Sequence, residues 1–369
     1  MTWNLASTIV IAVAISLAST RLARDAARRL KWLDRPSRRK MHTDPTPLLG
    51  GAAIYNAFLI AALYTDSRTV LREGAGVLIG ATLLLCTGVY DDQRGLGPRP
   101  KLLAQVAAAT LLVLGGIQVS LSHNRWVDLA LTVFWVVAIC NAMNLLDNMD
   151  GLSAGIAAIA GGFFTLLAAS QGQLWVAVVS AALLGATLGF LRYNWNPATI
   201  FMGDAGSLLL GYLLAVLGIK LRFLHEDERR TWLIPILVLA IPIFDTTLVT
   251  LSRLRRGISV ANGGKDHTSH RLVRLGLSVR QAVGTIYLGA IVCGGAAAII
   301  AWAGSTPLAY ALAASLALGG LVALALLERV DLADTGQVAR AARARPAAVR
   351  LARRTTRPQI GAGSRRRRG

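Results

Sequence analysis

What most constrains this chain is a succession of apolar runs about 20 residues long, the length that crosses a bilayer as a helix. They recur along a sequence of 369 residues in which 54% are hydrophobic and only 16% are charged. A soluble helical protein shows one apolar stripe per helix and a polar remainder, which these runs do not. They fall at 5–20, 47–64, 74–90, 101–120, 128–146, 152–170, 174–191, 204–220, 232–251, 281–303 and 307–327. The expected fold class is therefore an all-α polytopic membrane protein with about 11 transmembrane helices. No basic residue precedes the first run and a strongly basic stretch follows it, so it is expected to stay as an anchor.

Lys and Arg accumulate in loops that are not translocated. With 21–40 placed inside, 32 of the 39 Lys and Arg fall on that side and 7 on the other, which puts the amino terminus outside and the carboxyl terminus in the cytoplasm. The net charge of +20 then reflects residues flanking spans and facing anionic lipid, and nucleic acid is excluded as a partner. The domains expected are a membrane catalytic domain, 1–328, and a basic tail, 329–369, too rich in like charge to form a core and drawn to lipid. Cys86, Cys140 and Cys293 all lie in apolar runs and read as small hydrophobes.

Polar chemistry is confined to loops on the inside. Asp91 and Asp92 close the third run, where adjacent carboxylates repel unless a cation or proton is shared. Lys101, opening the fourth, is a point charge suited to a phosphate. Asn141, Asn144, Asp147 and Asp150 recur at intervals of three, along one edge of a helix and its exit. Such a row beside lipid implies a wet cavity or a ligand. In the third block Pro197 stops a helix and Gly203 and Gly206 permit close backbone approach; Asp204 opens the next helix, a position that an ordinary cap also explains. The fourth block, Lys265-Asp266-His267-Thr268-Ser269-His270-Arg271, offers directed donors to an anion, and no zinc pattern accompanies its histidines. Asp245 lies inside the ninth run and needs a partner there, either lining the cavity or bracing the basic loop.

In this order and spacing the blocks, with Pro45-Thr46-Pro47-Leu48-Leu49-Gly50-Gly51 ahead of the second run, resemble the polyprenyl-phosphate N-acetylhexosamine-1-phosphate transferases, from about residue 35 to residue 275. The resemblance implies transfer of a sugar 1-phosphate, GlcNAc-1-phosphate by preference, from a UDP-sugar to a membrane polyprenyl phosphate with release of UMP. It implies a bacterial plasma-membrane enzyme with a cytoplasmic active site that uses Mg2+, with Mn2+ as the alternative ion. It places Asp204 and Asn144 at the metal and the diphosphate, and Lys101, His270 and Arg271 on phosphate oxygens. Asp91 and Asp92 would serve the acceptor phosphate. Asn141, Asp147, Asp150 and His267 would serve the donor, with Phe201 stacked on uracil. The partners implied are polyprenyl phosphate, a UDP-amino-sugar and anionic lipid, with a homodimer left open.

Two departures from the family's pattern stand out. Ser269 occupies a place where the hexosamine branch often has histidine, and Asn148 stands where Asp-Gly-x-Asp-Gly is frequent. They leave a muramoyl-pentapeptide donor as an alternative. The rival from another class is a proton-coupled secondary transporter, whose binding groups belong near mid-bilayer.

Overall fold

A chain that must hide every backbone N–H and C=O from lipid has the α-helix as its local solution. In the computed structural model, which describes residues 5–34, 44–122, 124–223, 228–260 and 264–330, thirteen helices account for most of the chain. They are α1 Leu5–Leu30, α2 Gly50–Arg94, α3 Pro98–Leu114, α4 Arg125–Leu146, α5 Leu152–Ser170, α6 Leu174–Asn194, α7 Gly203–Lys220, α8 Glu228–Thr231, α9 Leu233–Val238, α10 Ala240–Arg255, α11 Thr268–Arg274, α12 Val279–Ala303 and α13 Thr306–Glu328. Eight of them are long and apolar enough to cross a membrane, so this is a multi-pass membrane protein. The basic tail from 331 onward lies outside the described residues.

Four runs differ in detail from expectation. The second and third join as the 45-residue α2, broken at the non-helical Asp66. The Asp66 carboxylate accepts from Thr69 N at 3.0 Å, capping the helix that restarts there. The fourth run begins at Pro98, in the first turn where a missing N–H is harmless, and ends after 17 residues. The ninth is split into α9 and α10, with the short α8 ahead of it and with Pro235 and Pro242 supplying no N–H near the breaks. The all-α description also gains a two-residue antiparallel ladder, β1 Leu33–Asp34 with β2 Thr46–Pro47, pairing Leu33 with Pro47 and Asp34 with Thr46.

The core is organised around α7, in which every residue from Ala205 to Ile219 is buried. Its first turn sits between the two ends of α2. Gly50 N and Gly51 N donate to the carbonyls of Phe201 and Met202, each at 3.0 Å, at the start of α2. At the far end of α2, a β-carbon on Gly88 would collide with the Ala205 backbone, so glycine is what lets these helices meet. The outermost helix, α13, buries only Ala309 and Leu327 among its residues, as suits a lipid-facing helix.

Candidate active site

The first amides of a helix have no intrahelical acceptor and carry the positive end of its dipole. In α7 they are satisfied from another helix: Asp92 accepts from Asp204 N at 2.8 Å and from Ala205 N at 3.3 Å. Gly203 makes this approach feasible, with φ of 68° and no side chain to strike the Asp92 carboxylate. Asp92, and not Asp204, is therefore the cap, and the Asp204 carboxylate is released for other contacts.

Those contacts add two more helices, α3 and α4, to α7 and α2. Lys101 Nζ lies 2.8 Å from Asp204 Oδ2 and 2.8 Å from Asp91 Oδ2, bridging α2, α3 and α7. Asp91 Oδ1 also accepts from Leu96 N, which holds the α2–α3 turn. From α4, Asn144 Nδ2 donates to Asp204 Oδ1 at 3.0 Å and to Ser207 Oγ at 2.9 Å. Asp91, Asp92, Lys101, Asn144 and Asp204 thus converge as the sequence led one to expect. Ser207, one α-helical turn beyond Asp204, joins them without having been assigned a role.

Asn141 does not converge with them. Its amide donates to Gln105 Oε1 at 2.7 Å and to Val137 O at 2.8 Å, tying α4 to α3, so the shared interval of three does not bring both asparagines to Asp204. Asp147, half-buried just past α4, is pushed well above the ordinary carboxylate range by burial and by the charges of Asp204, Asp92 and Asp150. Asp150 acts as a brace, since its Oδ2 accepts from Asn196 Nδ2 at 2.9 Å and from Ala198 N at 3.0 Å. The buried Asn194, to which the sequence assigned no role, links Gly151 N at 3.1 Å to Ile200 O at 3.0 Å and so locks the same turn. Phe201 enters this region through its backbone, which accepts from Gly50 N and donates to Pro47 O at 2.9 Å.

The fourth block is set by buried ion pairs. Arg253 grips Asp266 with two bonds of 2.9 and 2.8 Å, and Arg256 adds one of 2.6 Å. Burial alone would raise Asp266, but these guanidiniums hold it down to about 2. Asp245, open in role from sequence, accepts from Thr268 N at 2.7 Å and lies 2.8 Å from His267 Nδ1, so it caps α11 and orients His267. His270 is buried with Nδ1 lacking a hydrogen-bond partner. Burial, with His267, Lys265 and Arg274 nearby, pushes it down to about 3, so it sits in the fold as a neutral imidazole.

Arg271 has its partners inside the protein. Sequence reasoning put it on phosphate oxygens, yet its guanidinium is buried, donating to Asp266 O at 2.8 Å, Leu327 O at 2.7 Å and Ser252 Oγ at 2.7 Å, and pairing with Glu328 at 3.0 Å. It fastens α11 to the ends of α10 and α13. A fork with several donors suits that role, because the terminal carbonyls of α13 need partners.

Beside Asp92 opens a cavity of about 270 Å3, with Trp32, Leu48, Leu49 and Val89 as apolar wall and Lys31 and Arg94 as basic residues. Among the described residues no three carboxylate, imidazole or thiol groups form a ready-made metal cage. Magnesium does not require one, since it takes one or two carboxylates together with substrate phosphates and water. Asp204 is the carboxylate best placed for it. Asn144 meets Asp204 through its nitrogen, so it orients the carboxylate and has its own oxygen left to offer.

Comparison with known proteins agrees with this geometry. Residues 75–222 match the family model described as glycosyl transferase family 4. The chain is 35% identical over 293 residues to a Bacillus subtilis (strain 168) protein named "Probable undecaprenyl-phosphate N-acetylglucosaminyl 1-phosphate transferase", covering 76% of this chain and 81% of that one. It is 32% identical over 357 residues to the decaprenyl-phosphate N-acetylglucosaminephosphotransferase of Mycobacterium leprae (strain TN), covering 87% and 90%. A phospho-N-acetylmuramoyl-pentapeptide-transferase of Lacticaseibacillus paracasei is 33% identical over 198 residues, covering 48% and 61%. The chain belongs to glycosyl transferase family 4, the polyprenyl-phosphate N-acetylhexosamine-1-phosphate transferases.

Proposed function

We propose that this protein transfers GlcNAc-1-phosphate from UDP-GlcNAc to a membrane polyprenyl phosphate, with magnesium, at the cytoplasmic face of a bacterial plasma membrane. The observation that carries this reading is the meeting of Lys101, Asp91, Asp92, Asn144 and Asp204, drawn from four helices, at one end of the bundle. The excess of Lys and Arg at that end supports its cytoplasmic orientation.

Both substrates are anions, so the reaction is a problem of charge and alignment. An oxygen of the acceptor phosphate attacks the phosphorus that carries the sugar. A new phosphoanhydride forms as the old one breaks, and UMP leaves with the electron pair. A phosphate monoester has a second pKa near 6, so much of the acceptor is already a dianion at neutral pH and Asp91 has little proton to remove. Lys101 neutralises phosphate charge from a position fixed by two carboxylates. The cavity beside Asp92 suits the lipid end of the acceptor, its apolar wall taking chain and Lys31 and Arg94 taking charge. When bound at Asp204, magnesium supplies Lewis-acid neutralisation of the diphosphate. Burial is the main cause of the rise of Asp147, and Asp204, Asp92 and Asp150 add to it; a cation at Asp204 would relieve that added crowding, which supports the fit.

The test is transfer of radiolabel from UDP-GlcNAc into extractable lipid by the purified protein, with and without EDTA. Labelled lipid that EDTA abolishes and magnesium restores is expected. No labelled lipid from GlcNAc, or label only from a muramoyl-pentapeptide donor, overturns the assignment of donor.

A further inference from the structure

Two side chains that the proposed reaction leaves unused, Asn148 and Ser269, touch each other. Asn148 and Ser269 are 121 residues apart, and the Ser269 hydroxyl donates to Asn148 Oδ1 at 2.5 Å. The other end of the Asn148 amide donates to Leu145 O at 2.8 Å, a carbonyl in the last turn of α4 where intrahelical partners run out. Both ends of the amide are thus engaged, one in α4 and one in the first turn of α11. Ser269 has no exposed surface and sits between His267 and His270 in sequence. It is through this bond that the histidine turn is set against the segment bearing Asp147 and Asp150.

The two residues require each other. An imidazole at 269 has no room while Asn148 keeps its side chain, because the site is closed and close-packed. A glycine at 148 strands the Ser269 hydroxyl, buried, without its acceptor, and removes the donor to Leu145 O. Changing either residue alone breaks the contact, and changing both lets an imidazole take the space that the Asn148 side chain leaves.

We infer that Asn148 and Ser269 are a matched positioning pair that sets the histidine turn at its working distance from Asp147 and Asp150, and so governs use of the UDP-sugar but not of the prenyl phosphate. This rests on the transferase reading above. The acceptor's groups, Lys101, Asp91 and Asp92, are held by one another and by α7, and the pair makes none of those contacts.

A double-mutant cycle on the full-length protein in detergent decides it, with Asn148→Gly, Ser269→His and both together. Each single change is expected to raise KM for UDP-GlcNAc about tenfold, the size of one buried hydrogen bond lost, with KM for prenyl phosphate within about twofold of wild type. The double variant is expected within about threefold of wild type for both substrates. Additive effects in the double variant, or equal shifts for donor and acceptor, overturn the inference. The same cycle read as unfolding temperature covers a single variant too unstable to assay: non-additivity supports the pairing and additivity overturns it. A wild-type protein that labels no lipid fails the transferase reading itself, while the unfolding cycle still decides whether the two residues are matched.

Discussion

Asp92 caps the helix that presents Asp204: one carboxylate accepts the backbone N–H of the residue whose own carboxylate points at Lys101. Two aspartates from separate blocks therefore have different roles. On the proposed mechanism, removing the Asp204 carboxylate takes away an electrostatic group beside the transferring phosphate and should lower turnover at least about a hundredfold. Stability should change little, because Lys101 keeps Asp91 as partner. Asp92→Ala leaves two buried amides without an acceptor and should cost about 1–2 kcal/mol of stability as well as activity. Thermal unfolding in detergent beside initial rates separates the two; an Asp204→Ala protein with near-normal turnover would remove that residue from the metal role.

Lys101 holds two carboxylates at 2.8 Å each, so its loss leaves Asp91 and Asp204 facing one another uncompensated. Lys101→Met should reduce turnover by about a hundredfold or more through loss of phosphate neutralisation. Adding Asp91→Asn to it should recover unfolding temperature but not turnover, since only repulsion has been relieved. Recovery of turnover in the double variant would show that Lys101 serves only to separate the carboxylates.

The membrane class and the blocks were legible because their signals are local. An apolar run of about 20 residues needs no tertiary knowledge to be read, and a cluster of Asp and Asn breaking such a run is conspicuous. Three things were not legible. That Asp92 caps α7 depends on a contact across 112 residues. That Asn141 turns to Gln105 while Asn144 turns to Asp204 depends on which helices lie on either side of α4. Arg271 beside two histidines reads as an anion site by composition, and only the arrival of α13 at Leu327 and Glu328 gives its donors a different use. Side-chain type announces chemistry, while burial decides whether the chemistry faces a ligand or another helix.

Arg271→Ala should behave as a structural defect. It leaves Glu328 with only the exposed Arg255 at 3.5 Å and strands two backbone acceptors, and breaking one partner of a buried pair typically costs about 3–5 kcal/mol. Lysine is a poor substitute, since one ammonium cannot reach acceptors on α10, α11 and α13 together. The unfolding temperature of Arg271→Ala should fall steeply, with residual activity following the folded fraction at unchanged KM for the donor. A variant of normal stability whose donor KM rises more than about tenfold would return Arg271 to the phosphate.

His270 gives stability a definite pH dependence. Its folded value of about 3 lies below the ordinary 6.5, because burial and the neighbouring His267, Lys265 and Arg274 disfavour the imidazolium more than Asp245 favours it. Between those values the unfolded chain binds a proton that the folded protein does not, so stability rises with pH across the window. The contribution is complete above about 6.5 and is lost progressively as pH falls toward about 3, with a slope on the order of 1 kcal/mol per pH unit. Asp266 does not obscure this, because its folded value of about 2 confines its own loss to lower pH, between its ordinary value near 4 and about 2. Asp147, raised by burial and by the charges of Asp204, Asp92 and Asp150, works in the opposite sense across this window, so His270 is read from the difference: from pH 7.5 to pH 4.5 the unfolding temperature of the wild type in detergent should fall relative to that of His270→Gln, which carries no titrating group there. Parallel curves for the two proteins would mean that His270 is not held neutral in the fold.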